Sequence, residues 1–226
     1  LEAKAKPFVQ NPVTQTQHQD YVTSYIFPKI LYATDIELLI KSPYNFYAKK
    51  ILLLRKTKPL SQQTELADFG NVFHKIMEEY TKNYIVRHPD KIARFKEIAA
   101  NVIHNTQFPI IFKDIWQTKI NHMADEIIEF DEKLRKENIY NYSEIKGGIK
   151  LLIAGHEVFI AAIADRISIN KNGQASIIDY KTGQPPSKQD VLNGIAPQMM
   201  IEAIILKERG FAINLPKTLF SILSVN

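Results

Sequence analysis

The hydrophobic pattern of this chain changes period once, and that change limits the folds open to it. From about residue 34 to about residue 138 the apolar side chains recur at helical spacing. In 64–86, "TELADFGNVFHKIMEEYTKNYIV", Leu66, Phe69, Phe73, Ile76, Met77 and Tyr80 form one stripe, and "PDKIARFKEIAANVI" continues in the same mode. A further amphipathic helix is predicted from Ile110 to about Lys136, and it carries the chain's one tryptophan, Trp116. Beyond it the period falls to two. "YSEIKGGIKLLI", "EVFIAAIADRISI" and "QASIIDY" predict three successive strands. A last helix over about Pro197 to Arg209 precedes "TLFSILSVN", an alternating run that reads as a strand. Helices, then a strand cluster, then helix and strand, indicate an α/β or α+β domain on a mixed sheet.

The start of the chain is different in kind. Residues 1–30 are rich in Gln, Thr and Pro without periodicity, which suits a linker or an extended arm. At "TDIE" the spacing of Thr34 and Glu37 predicts a capping box, with Ile36, Leu39 and Ile40 opening an apolar stripe that Pro43 interrupts or kinks. The chain opens at Leu1 and closes inside a strand-like run, so a domain excised from a longer polypeptide is expected.

Composition narrows the chemistry. With 226 residues and 45% hydrophobic content the chain can bury a substantial core. It has no cysteine, which excludes disulfides, thiolate zinc sites and cysteine-ligated iron–sulfur clusters. Any metal must be held by oxygen and imidazole. The net charge of +5 leans toward a polyanionic partner, but a charge this small is common among ordinary soluble proteins. No run approaches the roughly 18 apolar residues of a membrane helix, and no signal-peptide pattern opens the chain. A soluble, cytoplasmic protein without membrane contact is expected.

The second and third strands are joined by "NKNG" (170–173). A three-residue loop of Lys171, Asn172 and Gly173, with Gly173 left-handed, would set Asn170 opposite Gln174. Carried along the strands, that register sets Asp165 opposite Asp179, their Cβ atoms roughly 4.5–5.5 Å apart. Two facing acids repel and lose hydration, and a divalent cation with oxygen ligands would compensate them. Lys181, on the same face as Asp179, would also do so, as a structural ion-pair cluster at the sheet end. A one-residue slip in register would undo the pairing.

These residues resemble a family. The helix with "GNVFH", the strand with Glu144, "ADRISI", "IIDYKTG" and the downstream "GIAPQMMIEA" look like the RecB-type branch of the PD-(D/E)xK nucleases. "YATDIELLIKSPYNFYAKKILLLRK" and "PQMMIEAIIL" are similar to the C-terminal nuclease domain of the AddB family of double-strand-break repair proteins, of alphaproteobacterial type. The resemblance spans about residues 31–211. It implies a restriction-endonuclease-like α/β core, a central mixed β-sheet flanked by helices, after a large N-terminal helical portion. The nuclease domain would run over 31–226, helical in 31–138 and catalytic in 139–226.

Carried over residue by residue, the resemblance implies His74, Asp165 and Asp179 as ligands of Mg²⁺ or Mn²⁺, with the backbone carbonyl of Tyr180. Lys181 becomes the catalytic lysine, set to orient or deprotonate water or to offset developing charge. Gln198 and Glu202, one helical turn apart, would border the site and Glu144 would support it. By itself His74 reads as a core or surface histidine. His18, His88, His104, His122 and His156 match no motif. Ser168 stands where the family's "DRID" pattern has Asp, a departure expected to touch a peripheral position.

The basic run "AKKILLLRKTK" offers Lys49, Lys50, Arg55, Lys56 and Lys58 to DNA phosphates or to solvent, and "EFDEKLRKEN" reads as an exposed helix end. Two functions are compatible with all this. One is a metal-dependent exonuclease domain of a helicase–nuclease that resects DNA breaks on the 5′-terminated strand, working with an AddA-type subunit and the rest of an AddB chain, without an iron–sulfur cluster. The other is a non-catalytic DNA-binding or subunit-docking module on the same fold.

Overall fold

One long strand organises the sheet. The computed structural model describes residues 28–55, 66–153, 155–213 and 222–225, so most of the 1–30 segment lies outside the described residues. In chain order the elements are β1 (Ile30–Tyr32), α1 (Ala33–Lys41), α2 (Pro43–Phe46) and a π-helical turn (Tyr47–Ile51). Then come α3 (Leu66–Lys82), α4 (Lys91–His104), α5 (Ile110–Glu137), β2 (Asn138–Ile153) and β3 (His156–Asn170). β4 (Ala175–Ile178), α6 (Lys188–Leu192), α7 (Gln198–Lys207) and β5 (Ile222–Val225) complete the described chain.

β3 pairs antiparallel with β2 along one edge. Its other edge is shared: β1 runs parallel to Phe159–Ala161, and β4 runs antiparallel to Arg166–Ile169. β4 in turn pairs parallel with β5. The sheet is therefore mixed, and helices flank it. Ile167, Ile169, Ala175 and Ile177 pack with Ile205 and Leu206 of α7. Arg166, one step out of phase with Ile167, meets α5 on the opposite face.

The helical part has its own core. Phe69, Phe73, Ile76, Met77 and Tyr80 of α3 are buried as their spacing predicts, against Phe95 of α4 and Trp116 and Ile120 of α5. Tyr180, just past β4, packs on this cluster and stands edge-on to Phe73, so it ties the sheet end to α3.

Several expectations need correction. The α1 N-terminus is capped from Asp35, whose carboxylate accepts from the Tyr32 N–H at 3.0 Å; Glu37 instead pairs with Lys41 one turn on. The Thr34–Glu37 box is absent because the helix starts at Ala33, which sets Glu37 past the first turn. Ile40 is exposed rather than part of the buried stripe. Pro43 does break the helix, and Ser42 caps the new start through Asn45 N–H. β2 begins at Asn138, directly after α5. The run "EFDEKLRKEN" is not simply exposed: Asp131 and Leu134 are buried, because Asp131 is the counter-ion of a buried arginine on β3. The short helix α6 lacks an apolar stripe and was not foreseen. No described helix is long and apolar enough to cross a membrane.

Candidate metal centre

The site is assembled by the β3–β4 hairpin. Lys171, Asn172 and Gly173 form its loop, with Asn170 N–H donating to the Gln174 carbonyl at 2.9 Å. Gly173 has φ 80°, a backbone conformation that costs glycine nothing and a β-carbon residue a good deal. The resulting register, Ile169 with Ala175 through Arg166 with Ile178, is the one the turn predicts. The next pair in that series is Asp165 and Asp179. There the ladder has ended, and the Tyr180 N–H donates to Asp165 Oδ2 at 2.8 Å in place of a carbonyl.

Asp165 also receives α3 and β2. His74 Nδ1 lies 3.0 Å from Asp165 Oδ1. On the other edge of β3, Ser143 pairs with Arg166 and Ile145 with Ala164, so Glu144 faces Asp165 across an interrupted step. Glu144 holds φ 51°, a left-handed conformation that bulky L residues avoid. His74, Glu144 and Asp165 each offer a ligand atom, and these atoms all lie within 4.8 Å of one another.

Asp179 stands beside this group. Lys181 Nζ lies 2.9 Å from its Oδ2, and Gln198 Nε2 approaches its Oδ1 at 3.4 Å. The same amide donates to Glu202 Oε1 at 3.1 Å. Glu202 is buried, and its second oxygen has no partner among the described residues.

The electrostatics reflect crowded acids. Burial, with Asp165 close by, raises the Asp179 carboxyl despite Lys181. Burial and Asp165 raise Glu144 as well. Glu202 is pushed up to about 8, first by burial and then by Asp179 and Asp165. The hydrogen bond to Asp165 raises His74 against the opposing effect of its burial. Acids held this close, in part deprived of water, are what a bound cation relieves. Oxygen and imidazole donors suit Mg²⁺ or Mn²⁺, so the residues fit such an ion.

The residues singled out in the sequence thus fall into two sets. His74, Glu144, Asp165, Asp179, Lys181, Gln198 and Glu202 converge on the end of β4. Glu144 lies with His74 and Asp165 in a group that could hold a metal ion. Tyr180 enters through its N–H to Asp165 and its phenol to Arg166. The basic run lies apart: Lys49, Lys50 and Arg55 line a separate cavity of about 730 Å³. Lys50 is paired with the buried Asp35 at 2.8 Å, and Lys56 and Lys58 lie outside the described residues.

A second layer escaped the sequence reading. Arg166, fully buried, donates to Asp131 of α5, to Asn141 Oδ1 at 2.7 Å, to Ser168 Oγ at 3.2 Å and to the Tyr180 hydroxyl at 3.3 Å. Ser168 is buried in this network. Tyr180 is consequently held at both ends, with Asp165 at its N–H and Arg166 at its phenol, and it fixes the segment carrying Asp179 and Lys181. The neighbouring "DRIS" letters were a signal; the partner in α5 was not.

The chain is similar in sequence to several known proteins. An uncharacterized protein of Rickettsia bellii is 43% identical over 202 residues, 89% of this chain and 24% of its own length. One of Rickettsia typhi is 41% identical over 205 residues, 88% of this chain and again 24% of its own. An ATP-dependent helicase/deoxyribonuclease subunit of Streptococcus pyogenes serotype M1 is 24% identical over 191 residues, 80% of this chain and 17% of that protein. The chain therefore spans about a quarter or less of the length of these relatives. A family model described as PD-(D/E)XK nuclease superfamily matches residues 32–222, and the chain belongs to that superfamily.

Proposed function

We propose that this chain is a metal-dependent DNA exonuclease domain of an AddAB-type helicase–nuclease, cutting the 5′-terminated strand at double-strand breaks. The observation that carries the reading is the meeting of Asp165, Asp179 and Lys181 with His74 and Glu144 at one sheet end. The streptococcal relative, named as a helicase/deoxyribonuclease subunit, supports the assignment to such an assembly. In this reading the nuclease domain begins at residue 31, DNA is the substrate, the partner is an AddA-type subunit, and the compartment is the cytoplasm.

His74, Asp165 and Asp179 would hold the ion, with Glu144 and the Tyr180 carbonyl completing the donor set. When bound, Mg²⁺ or Mn²⁺ acidifies water and offsets charge on phosphoryl oxygens. Lys181 reaches the open side of the site while paired to Asp179, so it orients the attacking water and faces the charge developing on phosphate. Gln198 holds Asp179 in place, and Glu202 anchors Gln198.

The test is cleavage of end-labelled single-stranded DNA by the whole protein with Mg²⁺ or Mn²⁺. Asp179→Ala and Lys181→Ala should each lower the rate at least about 100-fold. Undiminished cutting in both variants, or no cutting by wild type with its partner present, would leave a DNA-binding or docking module instead.

A further inference from the structure

Beside Asp179 and Lys181 lies a cleft of about 250 Å³ whose far wall comes from α1, an element that no catalytic motif includes. Lys181, Asp179 and Gln198 line one side, and Glu37 and Lys41 line the other. The two walls carry matching pairs. Lys181 is held by Asp179 at 2.9 Å, and Lys41 is held by Glu37 one helical turn away. Both lysine side chains are well exposed.

α1 is delivered to this place by rigid packing. Leu31 of β1 just before it and Ala33 at its start are buried, and Asp35 is fastened by the Tyr32 N–H and by Lys50 at 2.8 Å. Lys41 therefore stands at the end of an anchored helix, where a positioned contact is more precise than one on a loop.

Ion pairs as exposed as Lys41–Glu37 contribute only about 0.2–1 kcal/mol, so Lys41 can exchange its carboxylate for a phosphate at little cost, while Lys181 stays beside the nearly buried Asp179. One cation beside the acids serves the phosphate being cut. A second across the same small cavity suits a ligand with successive phosphates. The volume falls below the roughly 300–1,000 Å³ of ordinary ligand pockets, which suits a short piece of one strand. Pro186, Val191 and Met199 add an apolar surface on which a base can rest.

We propose that Lys41 binds the phosphate next to the scissile one on a single-stranded polynucleotide in this cleft, and that Glu37 keeps Lys41 paired until the strand arrives. This rests on the nuclease reading above.

The probe is a fluorescein-labelled oligothymidylate, titrated with the whole protein in Ca²⁺ over a series of salt concentrations. Lys41→Gln should weaken binding about fivefold to tenfold at low salt and make the log K against log salt slope shallower by about 0.7, the share of one single-strand phosphate. Lys41→Arg should restore both. Glu37→Gln should tighten binding, because it frees Lys41 and removes a negative charge from the phosphate path; a merely misfolded variant would not bind better.

Equal slopes in wild type and Lys41→Gln, a weaker-binding Glu37→Gln, or no binding by wild type would overturn the proposal. Failure of wild type to cut the same strand in Mg²⁺ would instead strike the nuclease reading, while the calcium titration still decides the role of Lys41.

Discussion

Arg166 on β3 and Asp131 on α5 form an ion pair with both side chains fully buried. Removing one partner leaves an uncompensated charge without water, which costs about 3–5 kcal/mol. Asp131→Ala should therefore lower the urea midpoint strongly, although Arg135, on the same helix, also loses its partner. Replacing both with apolar residues of similar volume, Arg166→Met with Asp131→Leu, should recover most of that loss. A double variant as unstable as the single one would show that Arg166 acts mainly through Asn141, Ser168 and Tyr180.

The metal-free protein should lose stability as pH rises. Glu202, raised to about 8 chiefly by burial, holds its proton more tightly folded than unfolded. Its penalty is absent below the ordinary glutamate value of about 4.3 and grows up to about pH 8, at most about 1.4 kcal/mol per pH unit. Asp179 and Glu144, also raised, add to the slope in the same direction. His74, raised too, contributes stability at low pH that is lost as pH climbs past its folded value, which again has the same sign. Urea midpoints between pH 5 and 8 should fall, and Glu202→Gln should flatten the fall by about one proton's worth. An unchanged slope in that variant would place the proton elsewhere.

Glu144 sets its carboxylate beside Asp165 at the cost of a left-handed backbone with φ 51°. Such a conformation costs a non-glycine residue about 1–2 kcal/mol. Glu144→Gly should relieve it and reduce acid crowding, so the metal-free protein gains about 1 kcal/mol in urea melts. The gain in thermal midpoint on adding Mn²⁺ should shrink in the same variant. A destabilised variant with full metal response would mean that Glu144 serves the fold and not the ion.

How far the sequence revealed these features depended on how local their causes are. The Asp165–Asp179 register follows from a three-residue loop and one left-handed glycine, and both were legible. The α3 stripe was legible because its burial repeats every turn. Asp131 was misread because its partner lies 35 residues away on a strand, and nothing in a charged helix end marks one acid as buried. Glu37 was expected in a capping box and Lys41 carried no expectation, because what they face is set by how α1 packs on α7, not by spacing in the chain. The same holds for the left-handed backbone at Glu144, which lies beside His74 and Asp165.

Gly70 sits one helical turn before His74, and a β-carbon there would lie 3.3 Å from Thr182 Oγ1. That is tighter than an ordinary contact, so the Thr182 hydroxyl would have to give by a few tenths of an ångström. Stability gains from the substitution, since alanine is favoured over glycine inside a helix by about 1 kcal/mol. The two effects should nearly cancel in a urea melt of Gly70→Ala. The rate should not be spared: Thr182 directly follows Lys181, and displacing it shifts the lysine against Asp179, where small misplacements are expensive. DNA cleavage should fall about tenfold or more while the melting midpoint stays within a few degrees. Gly70→Ser, larger and polar, should be worse on both counts. Full activity in Gly70→Ala would mean that the gap between α3 and the strand end can widen without disturbing the site.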